Sequence, residues 1–379
     1  MEERRSMNDE ARGTGGLDRV HDPAPRRRRR SNRRPYHSPQ GAAEESAARA
    51  GATYAALDLG TNNCRLLVAR PAGDGFRVVD AFSRIIRLGE GMSASGRLSE
   101  AAISRAVEAL AICRDKMKNR AVTRMRLIAT EACRSAENGE HFRTRVAEEV
   151  GLELEIVDRE TEATLAASGC TPLFDPNADG VILFDIGGGS SELVRLGPSR
   201  PMRRGPPPPT IRDWTSIPVG VVTLAERHGG VAVTREVYEA MTAEVAAFVD
   251  RFAAEQEIPR LQGLHLLGTS GTVTTLAGIH LELTRYERRH VDGCWMSDDQ
   301  ISTVIERLLA MNHQERVANP CIGAERADLV LAGCAILEAI RRAFPCRRLR
   351  VADRGLREGM LVQMMRADGV WGRPEEEAS

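Results

Sequence analysis

Two stretches of this chain repeat one another: LDLGTNNCRLLV from Leu57 and FDIGGGSSELVR from Phe184. Each runs from aspartate through an aliphatic residue to glycine, then small polar residues, then a new apolar run. The copies lie about 127 residues apart, far beyond the roughly 20 to 50 of solenoid arrays, so the repeat reports duplication of a whole domain. The expectation is an α/β protein of two similar domains facing each other across a cleft. At 379 residues the chain exceeds a typical single core and accommodates two.

The flanking patterns agree. YAALDLG, CRLLVAR and FRVVDAF read as three consecutive strands with tight turns. Ile103, Val107, Leu110, Cys113 and Met117 then recur three or four apart, which predicts a helix between Ser99 and Arg120 with Ser99 as its N-cap. MRLIAT and LELEIV read as further strands and RETEATLAASG as a helix. The second copy opens with GVILFDIGGG and SSELVRLG, and DWTSIPVG adds a strand after a loop containing Pro206 to Pro209. A helix over 235–255, strand GLHLLG, helices near 298–312 and 324–342, strand RRLRVAD and a last helix from about Gly355 complete it. These patterns divide the chain into a tail (1–50), a first domain (51–173), a second domain (174–344), a final strand and helix expected to pack back on the first domain (345–372), and a short tail (373–379).

The first 50 residues are a different material. They hold twelve arginines against eight acids, including RRRRRSNRR over 26–34, while the whole chain has zero formal charge. Such a segment cannot bury a core and is expected to be disordered. It attracts polyanions in general, but with aromatics at 4% of the chain no stacking platform for nucleic acid is visible, so no specific nucleic-acid partner is expected. No signal-like stretch and no membrane-length apolar run occur, and a cytoplasmic protein without a membrane partner is the expectation. The eight cysteines are scattered without a metal-type pair and read as reduced packing residues.

The turns carry the chemistry. A glycine turn between strands lets backbone N–H groups converge on an anion. Asp58 and Asp185, at the strand ends, would repel phosphate directly and instead suit a divalent cation or its waters, with Glu192 available to the same cluster. Hard oxygen ligands without His or Cys point to Mg²⁺ or Mn²⁺. GTSGTVTTLAG from Gly268 is a third candidate phosphate loop, at a strand-to-helix junction. Arg134, in ATEACRSAENGEHF, could clamp phosphate or be an ordinary surface charge. Glu162, in RETEATLAASG, could orient a water in the cleft or simply favour a helix start.

ALDLGTNNCRLLV, IATEACRSAEN, ETEATLAASG, FDIGGGSSELV and GTSGTVTTLAG, followed by ERADLVLAGCAIL and VADRGLREGML, occur in the order found in the exopolyphosphatase and guanosine pentaphosphate phosphohydrolase family, which this chain resembles over residues 54 to about 366. The resemblance implies two ribonuclease-H-like domains of the actin, sugar-kinase and chaperone ATPase superfold, with the active site in the interdomain cleft. It implies Glu162 as the catalytic base and Asp185 as the magnesium-linked aspartate, which the residue reading above joins with Glu192 and Asp58. It implies phosphate binding by the first loop with Asp58, Gly60, Thr61, Asn62 and Asn63, by Arg134, by Gly187, Gly188, Gly189 and Ser190, and by Arg326; the third glycine loop adds Gly271 and Thr272 on the residue reading. The implied substrate is inorganic polyphosphate, with guanosine pentaphosphate as alternative, and a homodimer fits the family. Two departures stand out. Arg159 occupies a position where members often have glycine, and the helical domain of long members is not expected after the last helix. A kinase or ATPase of the same superfold and a catalytically weak sensor of polyphosphate or alarmone are the rival readings.

Overall fold

A computed structural model describes residues 51–371 apart from 199–201, 203 and 259–262. The arginine-rich segment and the end of the chain lie outside the described residues. Those described fall in one compact unit built around two sheets.

The first sheet contains β1 (Tyr54–Leu59), β2 (Asn63–Ala72), β3 (Gly75–Ile85), β4 (Arg124–Ala129) and β5 (Glu155–Ile156), in the order β3-β2-β1-β4-β5. β1 pairs antiparallel with β2 and parallel with β4. The second contains β6 (Gly180–Ile186), β7 (Ser191–Leu196), β8 (Ile211–Ile217), β9 (Leu264–Thr269), β10 (Trp295–Ser297) and β11 (Arg348–Ala352), in the order β10-β11-β9-β6-β7-β8. With β10 set aside the second order repeats the first, strand for strand. The duplication read in the sequence is therefore a duplication of topology.

Helices cover the sheets. Between β3 and β4 lie α1 (Met92–Ser95) and α2 (Glu100–Asn119). The Ser99 side chain accepts from the Ala102 N–H, the N-cap expected of it. α3 (Glu131–Ser135), α4 (Gly139–Val150) and α5 (Arg159–Cys170) follow. In the second half come α6 (Val221–His228), α7 (Arg235–Glu255), α8 (Gly271–His280), α9 (Arg288–Val291), α10 (Asp298–Ala310), α11 (His313–Ala318), α12 (Val330–Ala343) and α13 (Leu356–Ala367). The largest core packs the second sheet against the flanking helices, through Phe184, Met241, Val245, Leu276 and Ile336.

Three expectations shift. LELEIV yields only the two paired residues of β5, which meet Ile128 and Ala129 at the end of β4. Leu152 and Leu154 are buried as side chains without joining the ladder. The helix expected over 324–342 begins at Val330, because residues 323–329 form turns in which the Arg326 N–H donates to the Gly323 carbonyl and Leu329 N–H to that of Arg326. Finally, the last strand and helix part company. β11 pairs with β9 in the second sheet, whereas α13 packs on β1, β2 and α5, with Met360, Leu361 and Met365 buried against Tyr54 and Leu67.

The crossing of α5 and α13 is unusually close. A Cβ on Gly169 would lie 2.0 Å from the Gly355 carbonyl oxygen, and one on Gly359 would lie 1.9 Å from that of Leu165. Only glycine permits this approach. It fixes α5, whose first turn enters the site.

The cysteines are free thiols, six of them buried and Cys294 and Cys346 half-buried. Among the described residues no helix is long and apolar enough to cross a membrane.

Candidate active site

The two repeated turns are built alike. Gly60 N–H donates to Asn63 O at 2.9 Å, and Gly187 N–H to Ser190 O at 2.9 Å. They also touch: a Cβ on Gly188 would lie 2.9 Å from Thr61 Cβ, and one on Gly189 would lie 2.8 Å from Thr61 Oγ1. The glycines therefore serve close approach between the halves as well as backbone exposure. Thr223 N–H and Val222 N–H both reach the Gly188 carbonyl, which ties the second turn to α6.

Around this junction lies a cavity of about 130 Å³, lined by Asp58, the 60–63 turn, Glu162, Asp185, the 187–190 turn, Glu192, Gly271, Thr272 and Arg326. Every candidate catalytic, phosphate-binding or metal residue named from the sequence lines it except Arg134. A second cavity of about 790 Å³ opens beside it and shares Asp58, Arg65, Asp185, Ser270, Gly271 and Arg326.

Glu162 sits in the first turn of α5, where Asp158 caps the helix by accepting from the Thr161 N–H at 2.7 Å. Its side chain is 13% exposed. Burial, then the nearby Glu192, pushes its carboxyl well above the ordinary range, against the opposing pull of Arg134. Arg134 itself is not turned to the cavity. Its Nη1 and Nη2 both donate to Glu162 Oε2 at 3.2 Å, Nη2 donates to Glu131 Oε2 at 2.5 Å, and Nη1 donates to the Val157 carbonyl at 2.6 Å. In this arrangement its donors are engaged by two carboxylates and a carbonyl, and it orients Glu162.

Glu131, which sequence reasoning passed over, is the hub of this network and lines the cavity. It accepts from Arg159 Nη2 at 2.9 Å and from Ser135 Oγ at 2.6 Å. Burial alone would raise its carboxyl, but the hydrogen bonds from Arg159, Ser135 and Arg134 outweigh burial and hold it below the ordinary range. Arg159 thus has a specific partner. The signal available in the sequence was the joint presence of Glu131 and Arg159, which only the fold brings together.

Across the antiparallel ladders, Asp58 faces Arg65 and Asp185 faces Glu192. Asp185 is pushed up to about 7 by burial, then by Glu192 and Asp58. Asp58 is raised by burial and partly relieved by Arg65. Burial also raises Glu192, although Ser190 Oγ and Ser216 Oγ donate to its Oε1 at 2.7 and 2.9 Å. Five acids, Asp58, Glu131, Glu162, Asp185 and Glu192, line one small space with too few cations to balance them, and make a donor set of hard oxygens that fits Mg²⁺ or Mn²⁺. Among the described residues no three His, Cys, Asp or Glu stand at direct-ligand spacing, so the fit is to a cation that keeps part of its water, as Mg²⁺ usually does.

Other groups await partners. Asn62 Oδ1, Asn63 Oδ1 and Ser270 Oγ are buried without a protein hydrogen bond, and such atoms call for water, an ion or a ligand. Ser270 holds φ 89° at the start of α8, a conformation that non-glycine residues seldom adopt. Sequence reasoning named its neighbours Gly271 and Thr272 but not Ser270.

Fold and site together define a duplicated α/β protein with an acid-rich cavity, lined by glycine turns, where its two halves meet. The family model for the Ppx/GppA phosphatase family matches residues 67–368, and the chain belongs to that family. It is 27% identical over 332 residues to Exopolyphosphatase 2 of Mycobacterium tuberculosis, covering 82% of this chain and 98% of that protein. Among solved structures, the Ppx/GppA family member of Aquifex aeolicus matches with TM-score 0.68 and 28% identity, over 83% of this chain and 97% of that one. An exopolyphosphatase from Cytophaga hutchinsonii shares the fold with TM-score 0.73 at 24% identity, over 85% and 100%.

Proposed function

We propose that this protein is an exopolyphosphatase that hydrolyses the terminal phosphoanhydride of inorganic polyphosphate and releases orthophosphate. The observation that carries the reading is Glu162, a carboxylate of raised proton affinity that opens on a cavity lined by three glycine turns. Arg134 occupies Glu162 Oε2 and leaves Oε1 to accept the proton of the attacking water. A base whose proton affinity is raised towards the working pH is suited to that role.

The 60–63 and 187–190 turns and the start of α8 offer backbone N–H groups to the terminal phosphates, Ser190 through its backbone because its hydroxyl donates to Glu192, with Thr61, Thr272 and Arg326 as side-chain donors. Asp185, Glu192 and Asp58 would hold Mg²⁺ or Mn²⁺ through its waters, and the bound ion would offset charge on the phosphate oxygens. Residues 51–173 and 174–344 form the two catalytic halves on this reading. Positioning and charge stabilisation suffice for phosphoryl transfer, so no covalent intermediate is needed. The same reading makes the enzyme cytoplasmic, where its polyanionic substrate is accessible, and places guanosine pentaphosphate second to polyphosphate because the curated relative is named for the latter activity.

The test is phosphate release with Mg²⁺ from long-chain polyphosphate, tripolyphosphate and guanosine pentaphosphate in parallel. Release from polyphosphate that vanishes in Glu162→Gln, with binding retained, is the expected result. Phosphorylation of an added acceptor by ATP, with no release from polyphosphate, would instead identify a kinase.

A further inference from the structure

Residues 86–89, between β3 and α1, lie outside every motif considered above, yet they join three parts of the site. Ile86 and Arg87 donate their N–H groups to the Asn62 carbonyl at 2.9 and 3.1 Å, and Gly89 N–H donates to that of Thr61 at 2.9 Å. The fit is tight: a Cβ on Gly89 would stand 2.3 Å from Thr61 Cγ2. Arg105 of α2 secures the segment from behind, donating from Nε to the Ile86 carbonyl at 2.8 Å and from Nη2 to that of Arg87 at 3.2 Å. Arg87 adopts φ 46°, in the left-handed region that a side chain avoids unless its surroundings hold it there.

From this anchored backbone the Arg87 side chain crosses to the second half. Nη1 and Nη2 donate to the two oxygens of Asp328 at 3.1 and 3.2 Å, and Nη2 also reaches the Glu325 carbonyl at 3.2 Å. The bidentate pair is about one third exposed, at 34% and 26%. The segment it grips, 325–328, carries Arg326. That guanidinium lines both cavities, lies 3.5 Å from the place of a Gly271 Cβ, and has no hydrogen-bond partner among the described residues. A parallel contact joins the same two halves nearby, where Glu226 accepts from Gly91 N–H at 2.8 Å and Ser93 Oγ at 2.5 Å.

We infer that Arg87 is a positioning residue which couples the first phosphate turn to Arg326 across the cleft, so that an anion seated on Thr61 and Asn62 meets the Arg326 guanidinium in register. A guanidinium suits the task because its planar fork matches a carboxylate and a carbonyl at once, which an ammonium does not. The inference rests on the reading of the cleft as a phosphate site, but not on hydrolysis.

The test is a double-mutant cycle on tripolyphosphate binding with Mg²⁺, measured by calorimetry for wild type, Arg87→Gln, Arg326→Gln and the double variant, with circular dichroism and Tm as folding controls. Arg87→Gln is expected to weaken binding about tenfold in the wild-type background and less than about twofold when Arg326 is already lost. Asp328→Asn, which cuts the same pair from the other side, should reproduce the loss, and Arg87→Lys should recover little of it. Equal penalties in both backgrounds, or no penalty in a folded Arg87→Gln, overturn the coupling. Binding without phosphate release from any polyphosphate would defeat the hydrolase reading while leaving the cycle to judge Arg87. Absence of tripolyphosphate binding by the wild type would overturn this inference together with the phosphate site.

Discussion

Arg134→Met separates two roles that a single arginine could have in this cleft. In the structure Arg134 gives Glu162 its protein hydrogen bonds, both to Oε2, while Glu131 would retain Arg159 and Ser135 after the substitution. The loss therefore falls on Glu162. Breaking a buried ion pair by removing one partner costs about 3 to 5 kcal/mol. Because the two side chains stay 18% and 13% exposed, water relieves part of this and about 3 kcal/mol is expected. Arg134 is also the group that draws the Glu162 carboxyl down against burial and Glu192. Without it the carboxyl moves higher still, the base is deprotonated over a narrower range, and the acid limb of kcat/KM should move to higher pH. Phosphate release from tripolyphosphate followed from about pH 5 to 9 reads this directly, with urea unfolding for the stability term. An acid limb that stays in place while KM rises steeply would mean that Arg134 turns to phosphate when substrate binds, and would refute the positioning argument.

Glu162→Gln should lower kcat by about 10²- to 10⁴-fold with polyphosphate binding kept, as read by phosphate release and calorimetry; loss of both together would argue against a base. Asp185 makes stability depend on pH. Its carboxyl is raised to about 7, so the native state holds this proton more tightly than the unfolded chain. The resulting stabilisation is full below the ordinary carboxyl range and is lost as pH rises through about 7, on the order of 4 kcal/mol. Thermal scans in chelator should show Tm falling over that window, and Mg²⁺ should flatten the curve; a flat curve in chelator would contradict the burial argument. Gly188→Ala should overpack the junction with Thr61, cost about 1 to 3 kcal/mol by urea unfolding and reduce phosphate release, whereas an unchanged variant would mean that the two turns do not meet in solution.

Much of this was legible from the chain alone, for identifiable reasons. Asp58 and Asp185 belong to a repeat, and a repeat fixes both topology and the places where its turns must lie. Helices α2 and α7 showed their buried stripes, and α2 its Ser99 cap. What escaped notice depends on contacts distant in sequence. Glu131 and Arg159 lie 28 residues apart and looked unremarkable singly. Arg134 stood between phosphate clamp and surface charge because an isolated arginine beside glycine turns offers no sign that two carboxylates are near. LELEIV carries strand-like alternation, but β5 can pair only where β4 still offers backbone. Residues 324–329 have helical composition, yet they are turns gripped from the other half through Arg87.

The ladder partners of the two repeated aspartates differ in sign. Seven residues after Asp58 stands Arg65, and seven after Asp185 stands Glu192. Duplication supplied two equivalent turns, and this single difference makes them unequal: one half presents a nearly neutral aspartate–arginine pair, the other a doubly acidic one. The cleft therefore has a direction. A polyanionic chain would meet a nearly neutral wall on the side of Arg65 and, on the other, acids tolerable only in the company of a cation, so its two ends would not be interchangeable within the site. A symmetric cleft would grip a chain anywhere along its length; one with a built-in electrical gradient selects an end.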